Sequence, residues 1–213
     1  MAALSLVSIA VFLGAAIVFV GGPAAFFAHP PLTVIAAATL AFAVAALFTD
    51  ASLSSGVRED RGNRWVIIAL GVLGLLACVV PPYTDRLDFW SFGGEATRWL
   101  GAALYCVGGA LRIAPVFALG KRFSGLVALQ PGHRLVTTGL YANVRNPSYL
   151  GLIVLCLGWA LAFRSALGII LVAAMLIPLK ARMESEERLL AEAFGAEYEA
   201  YRARTWRLLP WVY

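Results

Sequence analysis

Long apolar runs, separated by short polar loops, fill the chain from its start to Lys180. A helix needs about 20 apolar residues to cross a bilayer, with about 17 to 25 as the working range. Leu4–Phe27 meets that length, and so does Arg98–Leu119, which has one internal charge. Leu32–Thr49 and Trp65–Val80 are shorter and uncharged, and each ends in polar or proline-rich sequence that predicts a helix end. The pattern therefore predicts four membrane spans before residue 120.

Two shorter apolar segments follow a polar stretch. Tyr149–Phe163 and Ala166–Leu179 are separated only by Arg164 and Ser165, so they predict a tight helical hairpin. Their shortness indicates incomplete crossing or a locally thinned bilayer. The charged segment Ala181–Arg204 is rich in helix formers and predicts a helix that continues the sixth span or lies along the interface. The predicted fold is an all-α polytopic membrane bundle of about six spans.

Composition supports a lipid environment. The 213 residues are 61% hydrophobic and 14% charged, with a mean hydropathy of +0.82, whereas soluble domains are about half apolar and a quarter charged. The net charge of +5 comes without an aromatic-interleaved basic groove, so we expect the bilayer as partner and no nucleic acid. Cys78, Cys106 and Cys156 lie singly in apolar runs without metal-ligand spacing, which predicts inert packing residues and no metal.

Basic residues concentrate in the loop after the second span and in the loop before the fifth span. The positive-inside rule assigns both loops to the cytoplasm, and with six spans both termini lie there as well. The first Lys or Arg is Arg58, so the apolar start lacks the basic region of a cleaved signal peptide and predicts a retained span. The basic residues of the two loops are Arg58, Arg61, Arg64, Lys121, Arg122, Arg134 and Arg145.

The loop that leads into the fifth span is too polar to cross a membrane and is strongly patterned. It reads K-R-F-S-G-L-V-A-L-Q-P-G-H-R-L-V-T-T-G-L-Y-A-N-V-R-N-P-S-Y-L-G over Lys121–Gly151. Asn146 precedes Pro147 and is biased away from helix, so we expect the fifth span to begin near Pro147. The free amides of that helix N-terminus suit a carboxylate or the polar atoms of a nucleotide. Tyr141 and Tyr149 add aromatic faces and hydroxyls nearby.

A second group of charges follows the sixth span in R-M-E-S-E-E, from Arg182 to Glu187. Arg182 and Glu186 are four residues apart and share a helical face, so one can hold an anion while the other holds a cation. The alternative is a solvated, salt-bridged helix face. Arg112 lies inside the fourth span, where a charge is a functional hypothesis by default. It is also only about two turns from Lys121, so its side chain could reach the interface instead.

Four sequence blocks occur in order in the last two fifths of the chain. They are H-R-L-V-T-T-G-L-Y at His133–Tyr141, R-N-P-S-Y-L-G at Arg145–Gly151, E-E-R-L-L-A-E-A-F-G at Glu186–Gly195 and Y-E-A-Y-R-A-R at Tyr198–Arg204. Together they resemble the isoprenylcysteine carboxyl methyltransferases and their bacterial relatives, with phospholipid methyltransferases as more distant relatives. The resemblance divides the chain into N-terminal membrane spans, 1–119, and a methyltransferase core, 120–213.

The resemblance implies a membrane-embedded, S-adenosylmethionine-dependent methyltransferase whose cofactor enters from the cytosol and whose lipophilic or prenylated acceptor arrives from the bilayer. It implies Arg182, Glu186 and Arg145 as catalytic residues, with Arg182 on the acceptor and Glu186 on the cofactor. For Arg145, a snorkelling anchor at the interface is the alternative. The residues implied to line the cofactor are His133, Arg134, Leu135, Val136, Tyr141, Asn146, Pro147, Ser148, Tyr149 and Glu186.

The chain departs from the family pattern at Asn146, where better known eukaryotic members have histidine. Asn cannot shuttle a proton, which argues against a base there. A carboxylate is already ionised at pH 7, whereas a thiol or amine must lose a proton, so the sequence favours a carboxylate or another nucleophile that needs no base.

Four alternatives to carboxyl methylation remain open from the sequence. Two are thiol S-methylation and phospholipid amine N-methylation, because relatives of the family methylate those groups. A sterol-reductase-like NADPH enzyme is the third, although the basic residues of the loop are scattered rather than clustered. The fourth is a non-catalytic membrane module, against which the intact tyrosines and paired glutamates argue. The chain has no G-x-G-x-x-G after a strand, so cofactor binding must come from helices and loops.

Overall fold

The computed structural model describes residues 2–49, 58–120, 128–129 and 135–213, and eight α-helices account for most of them. Two-residue strands, β1 (Arg58–Glu59) and β2 (Ala128–Leu129), pair antiparallel, and short 3₁₀ turns cover 61–63 and 139–142. The all-α prediction is confirmed. The helices are α1 (Ala2–Val20), α2 (Pro23–Phe27), α3 (Pro30–Leu47), α4 (Trp65–Arg86), α5 (Glu95–Leu119), α6 (Pro147–Ala162), α7 (Ala166–Phe194) and α8 (Ala196–Ala203).

Four helices in the described part of the chain, α3, α4, α5 and α7, are long and apolar enough to cross a membrane. α6 and the segment Ile9–Val20 of α1 are shorter apolar helices. Large apolar side chains such as Ile68, Leu75 and Ile177 remain exposed on the outer helix faces, as lipid-facing residues do. The chain is therefore an integral, multi-pass membrane protein, while the count of six spans stays a prediction.

Two predicted helix boundaries are wrong. The first predicted span, Leu4–Phe27, is broken at Gly21 and Gly22, which have φ values of 115° and 102°. Glycine adopts such angles without steric cost, and α2 then begins at Pro23 with proline's preset helical φ. The chain therefore turns sharply between α1 and α3.

The second wrong boundary is the end of the third span at Val80. α4 continues through Pro81 and Pro82 to Arg86. Proline lacks the N–H that would bond the carbonyl four residues earlier, which normally breaks a helix. Here the Trp159 indole Nε1 donates to the Ala77 carbonyl at 2.8 Å and satisfies the group that Pro81 leaves open.

Glycines bring the antiparallel helices α5 and α6 into backbone contact. Gly101 and Gly108 lie seven residues apart on α5, and Gly151 and Gly158 lie seven apart on α6. A Cβ added at any of the four would lie within 2.4 Å of a backbone nitrogen of the other helix. Small residues allow this close approach between membrane helices. The contact fixes the start of α6 against the last third of α5, at Leu111 and Arg112.

One end of the bundle, here called the loop end, carries residues 58–64, 135–146 and 195–213. The β1–β2 pair joins the loop before α4 to the loop before α6, and a parallel bridge joins Val144 to Trp206 of the tail. The Asn63 side-chain amide donates to the Ala181 carbonyl of α7 at 3.2 Å. The two basic loops and the tail therefore lie at one end, as predicted.

The opposite end, here called the turn end, carries residues 87–94 and the tight turn 163–165 between α6 and α7, which confirms the predicted hairpin. Asp85 at the end of α4 accepts two hydrogen bonds from Arg98, at 2.8 and 3.0 Å, and one from Arg164 at 2.9 Å. The Asp85 and Arg98 side chains are only 3% and 5% exposed. Three parts of the fold are thus joined by one buried ionic cluster.

Candidate active site

The N-terminus of α6 lies at the loop end beside α5. The helix begins at Pro147 with Asn146 as N-cap, as predicted. The Ser148 hydroxyl accepts from Arg112 Nη1 at 2.7 Å and lies 3.2 Å from the Arg112 carbonyl oxygen, to which it donates. Arg112, the charge inside the fourth predicted span, therefore belongs to the surroundings of this helix start.

Tyr149 joins the two charged residues that the sequence singled out on α7. Its hydroxyl donates to Glu186 Oε1 at 2.5 Å and accepts from Arg182 Nε at 2.6 Å. Arg182 Nε and Glu186 Oε1 are 3.3 Å apart. The Arg182 side chain is 8% exposed and that of Glu186 is 28% exposed. These three side chains, here called the reactive cluster, are oriented by one another yet open on the Glu186 side.

Glu186 retains hydrogen-bonding capacity. Oε1 carries both contacts of the reactive cluster, whereas Oε2 accepts no hydrogen bond from the described residues. An ionised carboxylate accepts at both oxygens. Glu186 can therefore receive a hydroxyl or ammonium group of a ligand while it holds Tyr149.

Tyr141 lies on the 3₁₀ turn 139–142, which begins at Gly139 with φ 63°. The Tyr201 hydroxyl of α8 donates to the Tyr141 carbonyl at 2.8 Å and holds the turn in place. Burial raises the pKa of Tyr141 above its usual value, and the nearby negative charge of Glu186 raises it further. The Tyr141 hydroxyl thus stays protonated at neutral pH and serves as a donor rather than a base.

A second ionic cluster lies on the other side of α7. Glu187 Oε1 accepts from Arg145 Nε at 3.2 Å and from Asn146 Nδ2 at 3.2 Å. Arg207 of the tail donates to both Glu187 oxygens, with the shortest contact at 2.8 Å. Arg145 also donates to the Thr205 carbonyl. The R-N-P block therefore ties the tail to α7.

Adjacent glutamates on α7 thus have different partners, because successive side chains on a helix point about 100° apart. Sequence reasoning named Glu186 but not the role of Glu187, and it missed Arg207 entirely. The adjacent glutamates in the sequence indicate a role for Glu187, because two neighbouring side chains on a helix can contact two different clusters. Nothing in the sequence near Arg207 indicates its partner.

Of the ten predicted cofactor-lining residues, Asn146 contacts Glu187 in the second ionic cluster, and the other nine fall into three groups. Tyr141, Ser148, Tyr149 and Glu186 surround the α6 N-terminus, with Pro147 buried at its first position. Leu135 and Val136 are half-buried in the segment before the 3₁₀ turn. His133 and Arg134 lie outside the described residues. Among the residues that the structure describes, no three His, Cys, Asp or Glu side chains form a metal-binding group.

The fold has a counterpart among solved structures. The eukaryotic intramembrane Ras methyltransferase ICMT, solved without a monobody, superimposes with a TM-score of 0.59 at 23% identity. The match covers 98% of this chain and 77% of that one. This likeness concerns the fold alone, and it shows that the helical bundle has the same overall arrangement as that structure.

Sequence comparison shows a likeness to one family. The isoprenylcysteine carboxyl methyltransferase (ICMT) family model matches residues 101–192, so this segment is similar to that family. The match contains α6, the reactive cluster and the R-N-P block. The resemblance to this family of membrane methyltransferases, predicted from the sequence, is confirmed.

Three relatives are each named protein-S-isoprenylcysteine O-methyltransferase. The one from Schizosaccharomyces pombe is 26% identical over 185 residues, which cover 81% of this chain and 78% of the relative. The one from Mus musculus is 32% identical over 61% of this chain and 48% of the relative. The one from Dictyostelium discoideum is 30% identical over 66% of this chain and 61% of the relative. The chain thus spans only part of the length of these proteins.

Proposed function

We propose that this protein transfers a methyl group from S-adenosylmethionine to the carboxylate of a lipophilic acceptor, such as a prenylated cysteine. The observation that carries the proposal is the reactive cluster, Tyr149, Arg182 and Glu186, beside the start of α6. The names of the relatives, protein-S-isoprenylcysteine O-methyltransferase, support the acceptor class. The core at 120–213 would carry the chemistry, and the N-terminal spans at 1–119 would shape the lipid side.

The residues at the α6 N-terminus fit the polar groups of the cofactor. S-adenosylmethionine presents ribose hydroxyls, an ammonium group and a carboxylate, and it supplies an electrophilic methyl group on its sulfonium. The free oxygen of Glu186 suits the hydroxyls or the ammonium, and the Tyr141 hydroxyl suits an acceptor atom. The other residues of the proposed pocket are His133, Arg134, Leu135, Val136, Asn146, Pro147, Ser148 and Tyr149.

The charges of the site favour an anionic acceptor. Arg112 and Arg182 bring two positive charges near the one negative charge of Glu186. A carboxylate is attracted to these guanidinium groups and accepts two hydrogen bonds from one of them. A neutral thiol or amine does neither. This balance supports carboxyl methylation over thiol or amine methylation.

The protein's own contribution is placement. Methyl transfer is an in-line displacement, and its leaving thioether needs no proton, so the catalyst must align the reactants and exclude water. Arg182 would hold the acceptor carboxylate, while Glu186 would hold the cofactor. Arg145, tied to Glu187, would keep the loop and the tail closed over the pocket. We assign it a positioning role rather than contact with the substrate.

The orientation completes the proposal. The cofactor is cytosolic, and the basic loops and tail lie together at the loop end, so we place that end and both termini in the cytoplasm. A single cysteine at Ala200, in a background without Cys78, Cys106 and Cys156, should be protected from an impermeant thiol reagent in intact cells. It should react in inverted vesicles. Reaction in intact cells would place the site outside.

The direct test uses the purified protein in detergent. S-adenosylhomocysteine should raise the melting temperature, because a ligand selective for the folded state stabilises it by mass action. Labelled methyl should pass to an S-farnesylcysteine derivative with a free carboxylate but not to its methyl ester, which is the matched control. A shift with NADPH and none with S-adenosylhomocysteine would instead identify a reductase. Labelling of a thiol or a phospholipid amine would correct the acceptor.

A further inference from the structure

A cavity of about 340 Å³ opens at the turn end, at the opposite end of α5 from the reactive cluster. Val20 at the end of α1 and Ala25 of α2 form an apolar part of its wall. The last turn of α4 and the first turn of α5 form a polar part of the wall. Arg112, which contacts the start of α6, follows Glu95 by 17 residues, or about 26 Å of helix at 1.5 Å per residue, so the cavity is remote from the proposed methyl transfer.

Most charges around this cavity are paired with one another. Both Asp85 oxygens accept from arginines, one from Arg98 and the other from Arg98 and Arg164 together. Glu95 Oε2 lies 3.2 Å from His29 Nδ1 and 3.7 Å from Arg98 Nε. These groups therefore offer little further charge to a ligand.

Arg86 is the exception. This exposed residue lines the cavity, and within the described residues its guanidinium makes no hydrogen bond and no ion pair. Its side chain lies across Gly21, where a Cβ would be 3.6 Å from the Arg86 Cδ. Gly94, the N-cap of α5, also lines the cavity, so the free amides and partial positive charge of that helix start add to Arg86. The unpaired positive charge calls for an anion.

Exposed aromatic side chains mark the depth of this cavity in the membrane. Tyr83 is one turn before Arg86 and is 45% exposed, and at the turn end Trp90 and Trp99 are 58% and 48% exposed. Tyrosine and tryptophan concentrate at the headgroup level of a bilayer. The anion most abundant at that level is the phosphodiester of a phospholipid, and arginine binds phosphate oxygens in pairs.

We propose that this cavity binds a membrane phospholipid by its phosphodiester, which contacts Arg86 and the first amides of α5. The glycerol and acyl chains of the lipid then lie along the apolar wall formed by Val20 and Ala25. The site needs no metal and no part of the reactive cluster. It is a structural lipid site that fills the gap between α1, α4 and α5.

The test measures phospholipid retained by the protein in detergent. Delipidated protein is titrated with phosphatidylglycerol and followed by native mass spectrometry. Arg86→Gln should weaken binding about tenfold, as expected when one paired charge-assisted contact is lost. Ala25→Leu, which narrows the cavity and keeps every charge, should weaken binding as well. Arg204→Gln is the matched control, because it removes an exposed arginine at the loop end, and it should bind as the unchanged protein does.

Three outcomes would overturn the proposal. Equal losses in Arg86→Gln and Arg204→Gln would show general attraction of anionic lipid to a basic protein. Unchanged binding in both Arg86→Gln and Ala25→Leu would remove the site. Inorganic phosphate that displaces the lipid at millimolar concentration would identify a site for the free anion instead. Methyl transfer is measured alongside, and each variant's melting temperature confirms that it is folded.

Discussion

The turn end and the loop end each contain a buried ionic cluster, but the two clusters differ in what they leave unpaired. At the turn end Asp85 lies between Arg98 and Arg164, and both of its oxygens are used. At the loop end Glu186 binds Tyr149 and Arg182 through one oxygen and keeps the other open. A fully paired cluster joins helices, whereas a partly paired and accessible one receives a ligand. The open oxygen, rather than the number of charges, distinguishes the candidate active site.

The largest expected effect comes from removal of the charge at the centre of the turn-end cluster. Asp85→Asn leaves Arg98 and Arg164 without their counter-ion, and loss of one partner of a buried ion pair costs about 3 to 5 kcal/mol. Thermal unfolding in detergent should show a large fall in melting temperature. Asp88→Asn is the matched control, because Asp88 is 78% exposed and contacts only Arg164 at 3.3 Å, and it should change stability by less than about 1 kcal/mol. Equal falls in melting temperature would mean that burial does not make Asp85 more important for stability than Asp88.

The next effect concerns the loop end and appears in turnover rather than stability. Arg182→Ala should lower kcat about 100-fold, the usual size for loss of one charge-stabilising donor, while affinity for S-adenosylhomocysteine changes little. Glu186→Gln should show the reverse, with weaker cofactor binding as the main effect. Initial rates and calorimetric titration separate the two. Equal loss of cofactor affinity in both variants would contradict the assignment of the residues to different ligands.

The helix contact between the two ends should show an intermediate effect. Gly108→Ala places a Cβ 2.2 Å from the Leu155 backbone nitrogen, so α5 and α6 must separate, at a cost of about 1 to 3 kcal/mol. Gly74→Ala on α4 has open space around its Cβ and should be neutral or slightly stabilising. Melting temperatures of the two variants decide. If Gly108→Ala melts with Gly74→Ala, the close contact does not hold the bundle together.

The smallest effect is a pH dependence at the loop end. Hydrogen bonds from Ser185 and then Arg188 lower the pKa of Asp60, although partial burial opposes them. A lowered pKa in the folded state stabilises the protein above the unfolded value of about 3.9. That stability is lost as pH falls through the folded pKa, so it should vanish in strongly acidic solution. Asp60→Asn should remove this dependence at a cost of less than about 1 kcal/mol at neutral pH, and melting curves from neutral to strongly acidic pH test it.

Hydropathy predicted the apolar helices well because each one must cover its own backbone in lipid. The hydropathy pattern gave wrong helix ends where a distant contact stabilised the helix or where a short glycine break lay inside an apolar run. Pro81 predicted a helix end, but Trp159, which is 78 residues away, satisfies the carbonyl that the proline leaves open. The adjacent glycines Gly21 and Gly22 indicate a helix break, but the predicted span Leu4–Phe27 runs through them. The seven-residue spacing of the α5 and α6 glycines is also present in the sequence, and it indicates the close contact between these two helices.

The candidate site was less accessible to sequence reasoning. Spacing alone placed Arg182 and Glu186 on one face, and the proline rule placed the start of α6. The contact of Tyr149 with both residues depends on how α6 packs against α7, which no local pattern encodes. For the same reason the sequence left Arg112 undecided, whereas the packing of α5 on α6 brings it to Ser148.

The length of α6 has a consequence for how the two substrates meet. Its 16 residues extend about 24 Å, whereas the hydrocarbon layer is about 30 Å thick. One end of the helix is held at headgroup depth by the turn after Ala162. A helix along the membrane normal therefore leaves its first turn about 6 Å below the opposite boundary of the hydrocarbon. In the proposed reaction, a lipid-borne carboxylate then reacts without leaving its leaflet, and the water-soluble donor enters the membrane only to a shallow depth.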